Sequence, residues 1–333
     1  MTRAFVCGCA GTALSYDERA FLRDTRPWGL ILFKRNVADR EQLRALTDAF
    51  RDAVGRDDAP VLIDQEGGRV QRMGPPHWQA YPAAVRFDAE IGGRALEAAR
   101  LVARLIAYDL REVGITVDCA PVLDVADPLT HAVIGTRSYS QSPERVAAFG
   151  RAVMQGLLEG GVGPVVKHVP GHGRARADSH YEPPVVAASR AELTARDFAP
   201  FRALRDAPMA MTAHVVYTAL DPDRPATTSR EVIQTIVRET IGFGGLLFTD
   251  DLSMKALRGP FAERARAAFA AGVDIALHCN GDLAEAREVA EASPDLEGAS
   301  RERAEAALRM IAGAPAPFDV AEGRAELAGF GFA

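Results

Sequence analysis

Short, predominantly apolar runs recur along the chain at Ala4 to Val6, Gly29 to Phe33, Val61 to Asp64, Ile115 to Ala120, Val165 to His168, Met209 to His214, Leu246 to Asp250 and Ile275 to Cys279. Such runs read as strands buried on both faces. Between most of them lie stretches with apolar residues three and four apart, the period of a helix with one buried face. These are Arg40 to Val54, Ala89 to Val113, Pro143 to Glu159, Ala191 to Asp206, Arg230 to Ile241 and Pro260 to Ala271. Asp39 with Gln42, and Ser189 with Glu192, have the spacing of a capping box, and Ser142-Pro143 supplies a cap and a first-turn proline. Gly114, Gly160 and Gly272 stand where helices end.

Eight strand–helix units predict an α/β fold, a (β/α)8 TIM-type barrel, because a doubly wound sheet carries a Gly-rich phosphate loop after its first strand and none is present. No Ser/Pro-rich linker breaks the chain. One catalytic domain over 1–333 is expected, with a helical extension from about residue 295. The run Ala4 to Leu14 is broken by Gly8 and Gly11 and reads as a first barrel strand with its loop, not as a signal peptide.

A barrel predicts that reactive groups stand at the C-terminal ends of its strands. Asp64-Gln65-Glu66 ends the third run, Asp118 and Asp124 follow the fourth, and Lys167-His168 ends the fifth. His214 ends the sixth, Asp250-Asp251 the seventh and His278 the eighth. Any one of these could be a capping or hydrogen-bonding group, but together they mark a cleft.

Composition narrows the partners. Of 333 residues, 48% are hydrophobic and 25% charged, and the formal charge is −6, as in an ordinary soluble protein. Lys and Arg are outnumbered and form no basic run, which argues against nucleic acid, and no apolar stretch is long enough for a membrane span. Cys7, Cys9, Cys119 and Cys279 are too few for a disulfide framework, so a reducing compartment fits. Neither nucleic acid nor a membrane is the expected partner, and no cofactor is expected.

The densest chemistry lies in Lys167-His168-Val169-Pro170-Gly171-His172-Gly173 and Asp178-Ser179-His180. In an extended loop Asp178 and His180 fall on one side, so the carboxylate can orient the imidazole for general acid–base work, while Ser179 would point the other way. No Gly-x-Ser-x-Gly elbow supplies a serine nucleophile. Asp250 is the best candidate, because an ionised aspartate opposite a proton donor is what retaining glycoside hydrolysis needs, although the usual donor there is a second carboxyl group. A metal site built on His168, His172, His180 and Asp178 is the main rival, weakened by glycines and a proline that spoil regular ligand spacing.

The Lys167 to Gly173 segment, Asp178-Ser179-His180, Asp64 to Arg72, Ile134-Gly135-x-Arg137-Ser138 and Asp250-Asp251-Leu252-Ser253-Met254 together resemble the β-N-acetylhexosaminidases of glycoside hydrolase family 3, from about Gly29 to Cys279. The resemblance implies a TIM-type barrel, Asp250 as the nucleophile that forms a covalent glycosyl-enzyme, and Asp178 with His180 as acid and base. It implies that Asp64, Arg72, Arg137, Lys167 and His168 hold an N-acetylglucosamine ring. Single-domain members act on N-acetylglucosaminyl-anhydro-N-acetylmuramyl peptides in cytoplasmic peptidoglycan recycling. Val169 departs from the family pattern, which often has phenylalanine there. A phosphorylase, a family 3 glycosidase with another sugar preference, a sugar-binding barrel without activity and a His/Asp metallohydrolase stay open at this point.

Overall fold

The structure, a computed structural model, describes residues 1–179 and 183–332. Among these, eight strands close a barrel: β1 (Arg3–Cys7), β2 (Pro27–Leu32), β3 (Val61–Ile63), β4 (Val117–Asp118), β5 (Gly163–Val169), β6 (Met209–Thr212), β7 (Leu246–Asp251) and β8 (Ile275–His278). They follow one another around the barrel in chain order, every pair parallel, and β8 closes onto β1 with Phe5 beside Ala276. All eight runs anticipated from the sequence are barrel strands, and the fold is a (β/α)8 TIM-type barrel.

The period of two sorts each strand. Ala4, Val6, Trp28, Leu62, Val165, Met209, Met211, Leu246, Phe248, Ile275 and Leu277 fill the barrel interior, with Trp28 edge-on to Phe248 at 5.4 Å between ring centroids. Phe5, Leu30, Val61, Ile63, Val166, Ala210, Leu247 and Ala276 face the surrounding helices. Each fully buried side chain of this size contributes roughly 1.5–3 kcal/mol, so the alternation fixes the register of the strands.

Helices α2 (Arg40–Val54) and α4 (Pro143–Glu159) keep the limits read from the sequence. Asp39 accepts from the Gln42 N–H at 2.9 Å, but the Gln42 side chain turns to the Ala38 N–H, so only half of a capping box forms. The stretch from Ala89 divides, because Gly92 adopts φ +65° ahead of α3 (Ala95–Glu112). The Ser189–Glu192 box is complete, yet the helix behind it is broken. Pro200 has no N–H for the ladder, and the bond at the join spans five residues, from Phe198 N–H to Leu193 O at 2.9 Å. The first helix, α1 (Tyr16–Thr25), whose box pairs Ser15 with Glu18, is one that the apolar period did not announce.

Two helices follow the barrel. Gly298–Ile311 underlies its N-terminal end, where Leu296, Ala304, Ala307 and Ile311 join the interior cluster and Arg303 and Ser300 bind Asp274 at 2.8 and 2.6 Å. Val320–Gly329 packs on α3, with Arg324 reaching Asp109 at 3.1 Å. Among the described residues no helix is long and apolar enough to cross a membrane.

Candidate active site

The C-terminal ends of β3, β5 and β7 and the loops beyond them enclose a cavity of about 270 Å³. Strand parity decides what enters it. Lys167 continues the inward face of Val165, and Asp250 that of Leu246 and Phe248, so both point into the barrel mouth. Asp64 and Glu66, two apart in extended backbone, also converge there. Beyond Ile63 the chain leaves the barrel as an antiparallel ribbon, Gln65–Gly67 paired with Val70–Gln71. The Gln65 side chain accepts from the Arg72 and Met73 N–H groups at 2.9 and 3.0 Å, which fixes where the Arg72 side chain starts.

The charged groups form one chain. Lys167 Nζ lies 2.7 Å from Asp64 Oδ1 and 2.7 Å from Glu66 Oε1. Arg72 meets the other oxygen of Asp64 at 2.9 Å and lies over the Phe33 ring, while Arg137 grips both oxygens of Glu66 at 2.8 and 2.7 Å. Burial pushes both carboxyls up, but Lys167 and Arg72 outweigh it at Asp64, and Arg137 and Lys167 hold Glu66 at about 2. At pH 7 the cavity wall is therefore a row of fixed, alternating charges that needs no reorganisation to receive hydroxyl groups.

A second group surrounds the nucleophile candidate. His168 Nδ1 is 2.7 Å from Asp124 Oδ2, which leaves Nε2 facing the cavity, 4.0 Å from Asp250 Oδ2. Asp124 also accepts from the His168 and His172 N–H groups at 3.2 and 2.6 Å, so one carboxylate fixes the whole turn. Gly173 is needed beside it, since a Cβ there would stand 1.9 Å from Val125 O. Burial opposes ionisation of Asp250, but His168, His214 and the Asp251 N–H at 2.8 Å hold its carboxyl below the usual range. The neighbouring Asp251 carboxylate is turned to the backbone, accepting from the Ser253 and Cys279 N–H groups, each at 3.0 Å.

His172 also lines the cavity, and its Nδ1 is buried without a partner. Burial outweighs the Asp124 charge and holds the imidazole at about 4. In the unfolded chain it would take up a proton at about 6.5. The penalty is thus absent above pH 6.5 and complete below pH 4, where it costs about 3 kcal/mol of stability. Denaturant midpoints measured across that window should fall with acid in the wild type and flatten in His172→Asn. An unchanged slope would assign the acid lability to other groups.

The structure brings Asp64, Arg72, Arg137, Lys167, His168 and Asp250 around one cavity. Asp178 is half-buried outside the lining, close enough for its charge to act on Arg69, whereas His180 lies outside the described residues. Ser179, expected to point away, lines the cavity, and its carbonyl accepts from the Ala256 N–H at 3.1 Å. His214 and His278 neither line the cavity nor satisfy one another, for the same reason of parity. His214 bonds Thr227 Oγ1 and Asp251 O at 2.7 and 3.0 Å, and His278 faces Glu285 at 3.4 Å. Glu66 and Asp124 were not among the residues singled out for a role. The signal for Glu66 was its spacing of two from Asp64, and Asp124 could not be separated from Asp118. Among the described residues no group of three His, Cys, Asp or Glu side chains could hold a metal ion.

A barrel mouth lined by fixed carboxylates and cations, with an ionised buried aspartate at the end of β7, is the site of a glycoside hydrolase. The model of the glycosyl hydrolase family 3 N-terminal domain matches residues 8–312, and the chain belongs to this family. It is 42% identical over 294 residues to a β-hexosaminidase of Methylococcus capsulatus, covering 85% of this chain and 86% of the relative. A β-hexosaminidase of Aromatoleum aromaticum is 39% identical over 317 residues, 93% and 88% of the two chains. Among solved structures, NagZ from Neisseria gonorrhoeae in complex with N-trifluoroacetyl-D-glucosamine superposes with a TM-score of 0.86 at 34% identity, covering 98% of this chain and 97% of that one. A family 3 β-N-acetylglucosaminidase from Paenibacillus gives 0.88 at 29% identity, covering 98% and 67%.

Proposed function

We propose that this β-N-acetylhexosaminidase is a retaining exo-enzyme that removes terminal N-acetylglucosamine from N-acetylglucosaminyl-anhydro-N-acetylmuramyl peptides, acting as a cytoplasmic monomer in peptidoglycan recycling. The observation that carries the reading is Asp250: ionised, aimed into the cavity, and faced there by Asp64, Arg72 and Lys167. Asp64 and its two cations bind ring hydroxyls by charge-assisted hydrogen bonds, which fix the anomeric carbon over Asp250. Asp250 attacks that carbon, the glycosidic oxygen leaves with a proton from His180, and the same imidazole, oriented by Asp178, then takes a proton from the water that opens the glycosyl-aspartate. Arg137 acts through Glu66 and Lys167 and anchors the wall.

A second histidine–aspartate pair, His168 with Asp124, favours a different donor because it is already assembled in the cavity. Its geometry argues against that role. A donor has to reach the leaving oxygen on the face opposite the nucleophile, and His168 Nε2 lies beside Asp250. Its position suits holding Asp250 ionised.

Hydrolysis of an aryl N-acetyl-β-glucosaminide and of the matching β-glucoside, in the presence of EDTA, tests the reading. Turnover of the acetamido sugar alone is expected, and turnover of neither would remove the proposal. His180→Ala should slow substrates with poor leaving groups by roughly 10²–10⁴-fold while sparing activated aryl glycosides, because only the former need protonation. Equal losses on both would return the donor's role to another group.

A further inference from the structure

The catalytic cavity is not the largest hollow in the molecule. A groove of about 840 Å³ runs between the loop and helix (Phe261–Ala271) that follow β7 and the chain from Val216 to Arg230. The two share no lining residue but approach each other along one short segment: Met254 lines the cavity, while Ala256 and Leu257 line the groove. The Ala256 N–H is also the group that holds the carbonyl of Ser179, which lines the cavity, so one backbone hydrogen bond of 3.1 Å ties the two walls together.

The groove's chemistry is unlike that of the chain as a whole. In a protein of net charge −6, Arg224, Arg230 and Arg258 stand around it, all exposed and none with an ion-pair partner among the described residues. A fourth arginine, Arg264, is spent on the Leu252 and Met254 carbonyls and shapes the wall. Asp223 and Glu263 are the two opposing carboxylates of the lining. The walls between these charges are apolar, from Pro183, Ala256 and Leu257. Free guanidinium groups over an apolar floor suit a flexible ligand with carboxylates on a partly apolar backbone.

We propose that this groove is an aglycone subsite, in which Arg224 and Arg258 pair with carboxylates of the peptide carried by the departing sugar. The proposal rests on the glycosidase reading for its ligand. Three to five extended residues reach about 10–18 Å, enough for a peptide tethered at the cavity to lie along the groove. Exposed ion pairs are individually weak and screened by salt, so the subsite should tune preference and not govern turnover.

The test compares N-acetylglucosaminyl-anhydro-N-acetylmuramyl peptide with free carboxylates against the same compound with its carboxylates amidated. The wild-type enzyme should favour the free form about fivefold in kcat/KM at low salt, with the preference gone near 1 M salt. Arg224→Ala/Arg258→Ala should lose the preference, Arg224→Lys/Arg258→Lys should retain part of it, and all three should cleave an aryl N-acetyl-β-glucosaminide equally. A wild type indifferent to amidation, or a preference that survives in the alanine variant, overturns the proposal. If the wild type cleaves none of these sugars, the glycosidase reading falls, and calorimetric binding of the free peptide form decides the groove alone. Binding weakened in the alanine variant would uphold it, and equal binding would end it.

Discussion

Asp250→Asn is expected to lose roughly 10⁴-fold or more in kcat on N-acetyl-β-glucosaminides while keeping the wild-type free energy of unfolding to within about 1 kcal/mol. The side chain keeps its size and its acceptor oxygen for the Asp251 N–H, so the end of β7 has little reason to move. What disappears is the anion. Because His168, His214, the Asp251 N–H and Lys167 hold Asp250 ionised against the cost of burial, those groups are already arranged around a negative charge, and the neutral amide leaves them without it. The shortened variant Asp250→Gly separates a nucleophile from an electrostatic bystander: added azide should restore turnover of activated aryl glycosides and give a glycosyl azide of inverted configuration. Rescue with retained configuration, or Asp250→Asn activity within tenfold of the wild type, would remove Asp250 from the covalent step.

That only one of Asp250 and Asp251 can face the substrate was legible in the residues, while the choice of Asp250 came from the family resemblance. Leu246 and Phe248 are inward, so Asp250 is inward, and Asp251, though it borders the cavity, turns its carboxylate to the Ser253 and Cys279 N–H groups. The same count explains His214 and His278, which end barrel strands and still miss the cavity. A strand-end position predicts a site residue only together with its parity, and that refinement needs the inward face to be known. In runs apolar on both faces, such as Gly29 to Phe33, composition does not distinguish inside from outside. The helices were clearest where cap and period agreed, as at Asp39 and Ser142, and failed where backbone chemistry intervened, at Gly92 and Pro200. Glu66 and Asp124 were visible as strand-end carboxylates, but their roles were not, for another reason. Their partners, Arg137 and His168, are distant in sequence, and a carboxylate that orients another side chain has no pattern of its own.

Lys167→Met tests how much of the site is held together by a single charge. Lys167 is 2% exposed, and among the described residues its ammonium is the contact that joins Asp64 to Glu66. Removing it leaves two inward carboxylates, each with one arginine, in space that burial makes hostile to a second negative charge. Loss of one partner from such an arrangement costs about 3–5 kcal/mol, which for a chain of this length corresponds to a fall in Tm of about 4–7 °C. The pH dependence carries the sign. In the wild type both carboxyls sit below their ordinary values, so their contribution to stability is present above about pH 4 and is lost as acid carries the pH down through those values, about 2 for Glu66. In the variant the carboxyls rise, protonate more easily, and relieve their own repulsion as pH falls. The stability gap between variant and wild type should therefore be widest near pH 7 and narrow towards pH 4. Adding Glu66→Gln to Lys167→Met should recover part of the loss at pH 7, since one of the two unmatched charges is gone. A gap independent of pH, with no recovery in the double variant, would mean that Lys167 acts through its packed methylene chain and not through its charge.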